Sequence, residues 1–157
     1  MMDEITIINI PPQQVMGITK TGTYGIIPEL LLKVYESIVD KKLTITGAPM
    51  FICHETCPEA VMEANEKGTA VVEVAWPVSG SSDNSGEIKM YELPGGKMVR
   101  AFHQGPYETC EPTYYKIFDW IDKQHLQIAG PIREIYPNDP RVVKPEEILT
   151  EILVPVR

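Results

Sequence analysis

No apolar run in this sequence approaches the roughly 20 residues that a membrane-spanning helix needs, so no membrane partner is expected. Basic side chains are also few, 14 against 22 acidic ones, which leaves a net charge of −8. Binding to a phosphate backbone requires clustered Lys and Arg. No basic stripe and no helix-turn-helix extension occurs, so direct nucleic-acid binding and a one-component DNA-binding regulator are both excluded as expectations. The acidic surplus serves solubility and gives weak attraction for basic partners. Cysteine is scarce as well. Cys53, Cys57 and Cys110 form an odd set, which excludes a disulfide framework in a chain without a secretory signal. The string Cys53-His54-Glu55-Thr56-Cys57 invites a metal reading, but it lacks a second ligand pair at finger-like spacing. No metal and no cofactor are expected. The opening residues are acidic and strand-like rather than leader-like, so a cytoplasmic location is the default.

What the chain does contain is a repeat. Residues 4–47 fall onto 87–130 at an offset of 83: Glu4-Ile5 meets Glu87-Ile88, Gly22-Thr23-Tyr24 meets Gly105-Pro106-Tyr107, and Gly47 meets Gly130. Further along the offset is 78, and Val72-Glu73-Val74-Ala75-Trp76-Pro77-Val78 lies on Thr150-Glu151-Ile152-Leu153-Val154-Pro155-Val156. At 157 residues the chain is long enough for one shared core. The expectation is a single domain over 1–157, with copies at about 4–78 and 87–156 joined by a small polar linker at 79–86. A duplicated body has a seam between its halves, and seams commonly hold ligands.

Each copy reads as a strand, a Pro-containing turn, a second strand, a helix, a strand after Gly47 or Gly130, a Pro-started helical turn and a last strand ending at Pro-Val. Ile27, Leu30, Leu31, Val34, Tyr35 and Ile38 recur at helical spacing, and Tyr114, Ile117, Phe118 and Ile121 form the matching stripe. These stripes are core, and Trp120 is taken with them as packing. Pro28 and Pro112 fall in first turns, where a missing N–H costs nothing. β-branched segments such as Thr69-Ala70-Val71-Val72-Glu73-Val74 predict strands. The fold class is therefore α+β: tandem strand-helix-strand-strand modules forming a largely antiparallel sheet, two long helices on one face, and a central cleft between the halves.

Residues shared by both copies are most simply architectural, as for Glu73 with Glu151 and Tyr24 with Tyr107. Glu134 is different, because its counterpart is Phe51. One copy puts a ring where the other puts a carboxylate, and in a strand Tyr136 points to the same side as Glu134. If Phe51 marks a buried side, Glu134 is a carboxylate in apolar surroundings. Such a group demands a cation, a hydrogen bond or a function. The bland alternative is a solvated strand residue beside Arg133. Tyr107, Tyr114, Tyr115, Phe118, Trp120 and Tyr136 crowd the second copy, and rings around a lone acid suit a flat lipophilic cation as well as they suit an ordinary core.

The string Gly130-Pro131-Ile132-Arg133-Glu134-Ile135-Tyr136-Pro137-Asn138-Asp139-Pro140 resembles the GyrI-like small-molecule-binding family. So do Pro145-Glu146-Glu147-Ile148-Leu149-Thr150-Glu151-Ile152 and His103-Gln104-Gly105-Pro106-Tyr107-Glu108. That family includes gyrase-inhibitor proteins and the effector-binding domains of AraC-type and MerR-type multidrug regulators. The resemblance implies the tandem fold with its cleft, and it implies Glu134 as the central acid on a ligand. In relatives that hydrolyse cyclopropane-bearing genotoxins a tyrosine works with this acid, and Tyr107 is the matching position. Leu30 and Cys110 depart from the aromatic pockets of the multidrug sensors, which puts a planar dication ligand in doubt.

Three functions follow. The leading one is a stand-alone binding protein for a lipophilic compound, with a cation the charge Glu134 would favour, lined by Glu134, Tyr136, Tyr107, Tyr114 and Phe51. The second is a detoxifying hydrolase with Glu134 and Tyr107 as catalytic residues. The third is an acidic protein-interaction module of the gyrase-inhibitor type.

Overall fold

A computed structural model describes residues 4–84 and 86–157; Met1 to Asp3, and Ser85 of the expected linker, lie outside the described residues. The strands are β1 (Thr6–Ile10), β2 (Gln13–Gly22), β3 (Thr44–Ile45), β4 (Met50–Cys53), β5 (Ala70–Ser79), β6 (Lys89–Leu93), β7 (Gly96–Gln104), β8 (Ile132–Ile135) and β9 (Leu149–Pro155). The helices are α1 (Ile27–Asp40), α2 (Pro58–Lys67) and α3 (Glu111–Lys123). Single 3-10 turns cover Tyr24–Ile26, Tyr107–Thr109 and Pro145–Glu147.

All the strand pairings are antiparallel, and the sheet runs β1-β7-β9-β8-β4-β5-β2-β6, with β3 added on β5. Exchanging β1 with β6, β2 with β7, β4 with β8 and β5 with β9 turns this order into its own reverse. The order of strands is therefore symmetric about the β4–β8 pairing. There Phe51 pairs directly with Glu134, flanked by Met50 opposite Ile135 and Ile52 opposite Arg133. One feature was not expected from the sequence: the first strands are exchanged. β1 extends the second half by pairing with β7, and β6 extends the first half by pairing with β2.

The helices follow from their apolar stripes. Leu30, Val34 and Ile38 of α1, and Ile117 and Ile121 of α3, are buried in one core cluster. Phe51, Val72, Val74, Ile132, Ile152 and Val154 belong to the same cluster, so both helices cover one face of the sheet. α1 packs chiefly on β5 and β2, and α3 on β7, rather than on each other. The strip between them is floored by β4 and β8. Trp120 packs against this core, as its place in the stripe predicts. The other face carries a smaller cluster of Val15, Met50, Ile52, Ala75 and Leu93. With both faces partly covered, β5 reads as a nearly continuous buried run rather than a clean alternation.

The two halves differ most at the Pro-started turn, a helix (α2) in the first and only a 3-10 turn at Pro145–Glu147 in the second. α2 stops at Gly68, whose N–H bonds to the carbonyls of Ala64 and Asn65 and whose φ of 67° turns the next N–H, that of Thr69, onto the Ala64 carbonyl at 2.9 Å. A Cβ built at Gly68 meets nothing within 4 Å. Gly68→Ala should therefore lose about 1 kcal/mol through left-handed strain alone, measured by urea unfolding. Among the described residues no helix is long and apolar enough to cross a membrane.

Candidate functional site

Side chains alternate across a strand, so β8 sends its neighbouring residues to opposite faces. Glu134, paired with Phe51 and Ile152, stands on the face covered by α1 and α3, whereas Arg133 stands on the other face. The local sequence thus separates two adjacent opposite charges. No Lys or Arg forms an ion pair with Glu134 among the described residues; its partners are phenols. Tyr114 of α3 donates to Oε2, and Tyr136, just beyond β8, donates to Oε1 at 3.0 Å. Tyr136 is steered there by its own N–H, which bonds to the carbonyl of Pro49.

Tyr107 packs edge-on against Tyr136, ring centroids 5.3 Å apart, and is the outermost of the three at 37% exposed. Phe51, 4% exposed, takes the edge of Tyr24 at 5.8 Å. The structure thus brings Glu134, Tyr114, Tyr136, Tyr107 and Phe51 onto one patch of the helix face. It does not hydrogen-bond Tyr107 to Glu134, and the phenol on the acid's Oε2 belongs to Tyr114.

The reason lies in an asymmetry between the halves. In the first half Tyr24 donates to Glu55 Oε1 at 2.5 Å, and Glu55 Oε2 accepts the N–H of Val71 at 3.2 Å. In the second half Asn138 replaces that carboxylate and likewise accepts the N–H of Leu149, while its amide nitrogen is spent on the carbonyl of Glu147. The hydroxyl of Tyr107 is left without a hydrogen-bond partner among the described residues.

Burial pushes the Glu134 carboxyl above the ordinary range, against the pull of the Tyr114 and Tyr136 hydroxyls and of nearby His103. The same burial, aided by the negative charge of Glu134, raises the phenols of Tyr114 and Tyr136 well above their usual value. Cys53 and Cys110 are near this patch, and burial drives each thiol up to about 12, which disfavours the thiolate. Leu30 and Cys110 are both buried, and neither brings a ring to the site.

Sequence reading missed His103. It is 7% exposed, its Nδ1 lies 2.9 Å from the Thr113 hydroxyl, and its Nε2 lies 3.1 Å from the Pro106 carbonyl. A carbonyl only accepts, so Nε2 carries the proton. A lone histidine in a strand has no spacing signal, and only its match to a Gly-Pro-Tyr turn hinted at the contact. Sequence reading also missed the partners of Glu73. It lies on the face away from the helices and accepts from Tyr91 at 2.6 Å, with His54 Nε2 at 2.7 Å. Gly17 makes this possible, since a Cβ there would stand 2.5 Å from the Tyr91 hydroxyl. Glu151, its counterpart, instead lies 3.9 Å from Arg100. His54 therefore turns away from Cys53, which donates to the Glu55 carbonyl, and Cys57 lies at the surface.

A family model described as the GyrI-like small molecule binding domain matches residues 3–157. The chain belongs to the GyrI-like family. Its GyrI-like fold is shared with the C-terminal domain of EcmrR, at a TM-score of 0.84 and 20% identity, covering 98% of this chain and 97% of that one. Against EcmrR in its DNA complex the TM-score is 0.85 at 19% identity, covering 98% of this chain, which spans only 57% of that one. A hydrolase from Listeria innocua matches at a TM-score of 0.67 and 15% identity, covering 99% of this chain and 92% of that one. SAV2435 bound to tetraphenylphosphonium matches at 0.63 and 15%, covering 98% and 94%. A search among curated proteins finds no match. At these identities the structures establish the fold, and the family model establishes a small-molecule-binding domain.

Proposed function

We propose that this GyrI-like domain binds a lipophilic cation on the helix face of its sheet, with Glu134 as counter-charge. The observation that carries the reading is a carboxylate at the β4–β8 pairing with two phenols on it and no Lys or Arg paired with it among the described residues. The nearest basic residue in sequence, Arg133, is committed to the opposite face. A half-buried acid in that state gains most from a guest that brings the missing charge without a tight hydration shell. The faces of Tyr107, Tyr114, Tyr136 and Phe51 supply apolar and cation–π contact for such a guest. Glu134 is partly exposed rather than sealed, and Tyr107 is the outermost of the tyrosines beside it.

SAV2435 has been seen with tetraphenylphosphonium, which makes that cation the natural probe. Calorimetry should show saturable binding to the wild type and at least tenfold weaker binding to Glu134→Gln, a loss of roughly 1.4 kcal/mol or more. Equal affinity for both proteins would remove Glu134 from the site.

A second reading is favoured by the unengaged Tyr107 hydroxyl. Glu134 would take a proton from water, the water oxygen would add to a strained cyclopropane carbon, and Tyr107 would return a proton to the carbon released by ring opening. The resemblance to the Listeria innocua hydrolase supports this reading at the level of fold. Mass spectrometry decides: a product heavier by one water, lost in Tyr107→Phe, favours hydrolysis, and compound recovered unchanged favours binding alone.

A further inference from the structure

The face of the sheet turned away from α1 and α3 contains a recess of about 430 Å³ beside the smaller apolar cluster. Arg133 and Glu73 line it from strands on either side of β4, for Ile52 pairs with both of them. Their backbones therefore stand roughly 10 Å apart, two strand spacings. The two side chains make no ion pair with each other.

The acid is already provided for, with one donor on each oxygen from Tyr91 and His54. The guanidinium is not. Arg133 is 4% exposed, and its Nη2 donates to the Pro94 carbonyl at 2.6 Å. Among the described residues no carboxylate lies within ion-pair distance of it. A guanidinium has five N–H donors, so most of this fork is unspent. Thr150 Oγ1 is the one sealed polar side-chain atom without a partner among the described residues. The unspent Arg133 nitrogens are therefore not sealed in protein, and Arg133 is part of the wall of the recess.

The rest of the lining has a consistent chemistry. Lys97 adds a second positive charge, and Leu93, Pro131 and Pro155 supply apolar wall. One edge is formed by the turn at Pro94-Gly95-Gly96, fixed because Gly95 lies against the backbone of Pro11 and Pro12. Two cations against one acid select an anion, and the fixed charge of Glu73 penalises a dianion more than a monoanion. At about 30 Å³ per water the recess holds the volume of about 14 waters, room for an organic acid of about ten non-hydrogen atoms.

We propose that this recess is a second ligand site, taking a small organic monocarboxylate whose carboxylate engages the open fork of Arg133. Planar two-point pairing is the contact a guanidinium makes best with a carboxylate. The apolar body of the acid lies along Leu93, Pro131 and Pro155. The site is independent of the cation reading, since Arg133 and Glu134 face opposite sides of the sheet.

The test is an amide-shift titration of the whole chain with sodium benzoate, and separately with inorganic phosphate. Benzoate should move the amides of residues 95–97, 130, 132 and 133 saturably and bind at least tenfold more tightly than phosphate. Arg133→Met, which keeps the stem and removes the fork, should weaken benzoate at least tenfold. Glu134→Gln should leave it unchanged. Absence of saturable shifts, phosphate binding as tight as benzoate, unaltered affinity in Arg133→Met, or loss in Glu134→Gln would each overturn the proposal. If Arg133→Met does not fold, Lys97→Gln decides: a loss of threefold or more supports the site, and none overturns it.

Discussion

The affinity for tetraphenylphosphonium is expected to fall about tenfold for each pH unit below the point at which Glu134 takes up a proton. That point lies above the ordinary glutamate value of about 4.3 because burial disfavours the charged form. Only the carboxylate can neutralise the guest, so binding is lost as pH falls. Unliganded stability runs the other way. A carboxyl whose folded pKa is raised contributes its full stability below its unfolded pKa, and that contribution is lost as pH rises through the folded value.

Glu134→Gln, which cannot ionise, should therefore gain in melting temperature relative to the wild type as pH is raised from 4 to 7. The groups facing the acid are Tyr107, Tyr114, Tyr136, Cys53, Cys110 and His103. The phenols and thiols are all pushed upward and stay protonated across that range. The series is repeated in His103→Gln, because His103 also acts on the acid. Calorimetry at constant ionic strength gives the affinity and scanning calorimetry the melting curve. Affinity that ignores pH would discard Glu134 as counter-charge.

Gly95→Ala is expected to destabilise the fold by about 3 kcal/mol, a fall of roughly 10 °C in melting temperature. A Cβ at this position would meet the Ile10 carbonyl oxygen, and would stand 2.6 Å from the backbone of Pro11 and of Pro12. A backbone collision has no rotamer to escape into, unlike a clash with a side-chain tip. Gly130→Ala is the control, because its added carbon would sit 3.5 Å from Pro155, an ordinary contact. It should change stability by less than about 0.5 kcal/mol. Equal behaviour of the two variants in urea unfolding would mean that the Pro94-Gly95 link does not press on the Pro11-Pro12 link.

The α+β class and both long helices were legible because their stripes are strongly periodic, and periodicity reports burial directly. Matching Glu134 to Phe51 offered its place on the Phe51 face as one of two readings, the other being a solvated strand residue, and the comparison needs no partner outside the chain. The strand exchange was not legible. Both first strands pair through backbone groups, which carry no side-chain signature of which neighbour they choose. β3, two residues long, falls below any pattern. The Tyr114 bond to Glu134 was hidden because a tyrosine in an apolar stripe looks like core whether or not its hydroxyl finds an acid. Arg133 was read only as a neighbour of Glu134. Its own environment depends on Pro94, 39 residues away, a contact no local pattern encodes.

The exchanged first strands carry a consequence for how the molecule is made. A ribosome releases β1 long before its partner β7 exists, so the earliest strand must wait for the second half to be synthesised. Neither half is self-sufficient at its edge: each leaves an open seat that only the other fills. Cut within the linker, the two pieces are expected to stay incompetent apart and to reconstitute one body when mixed.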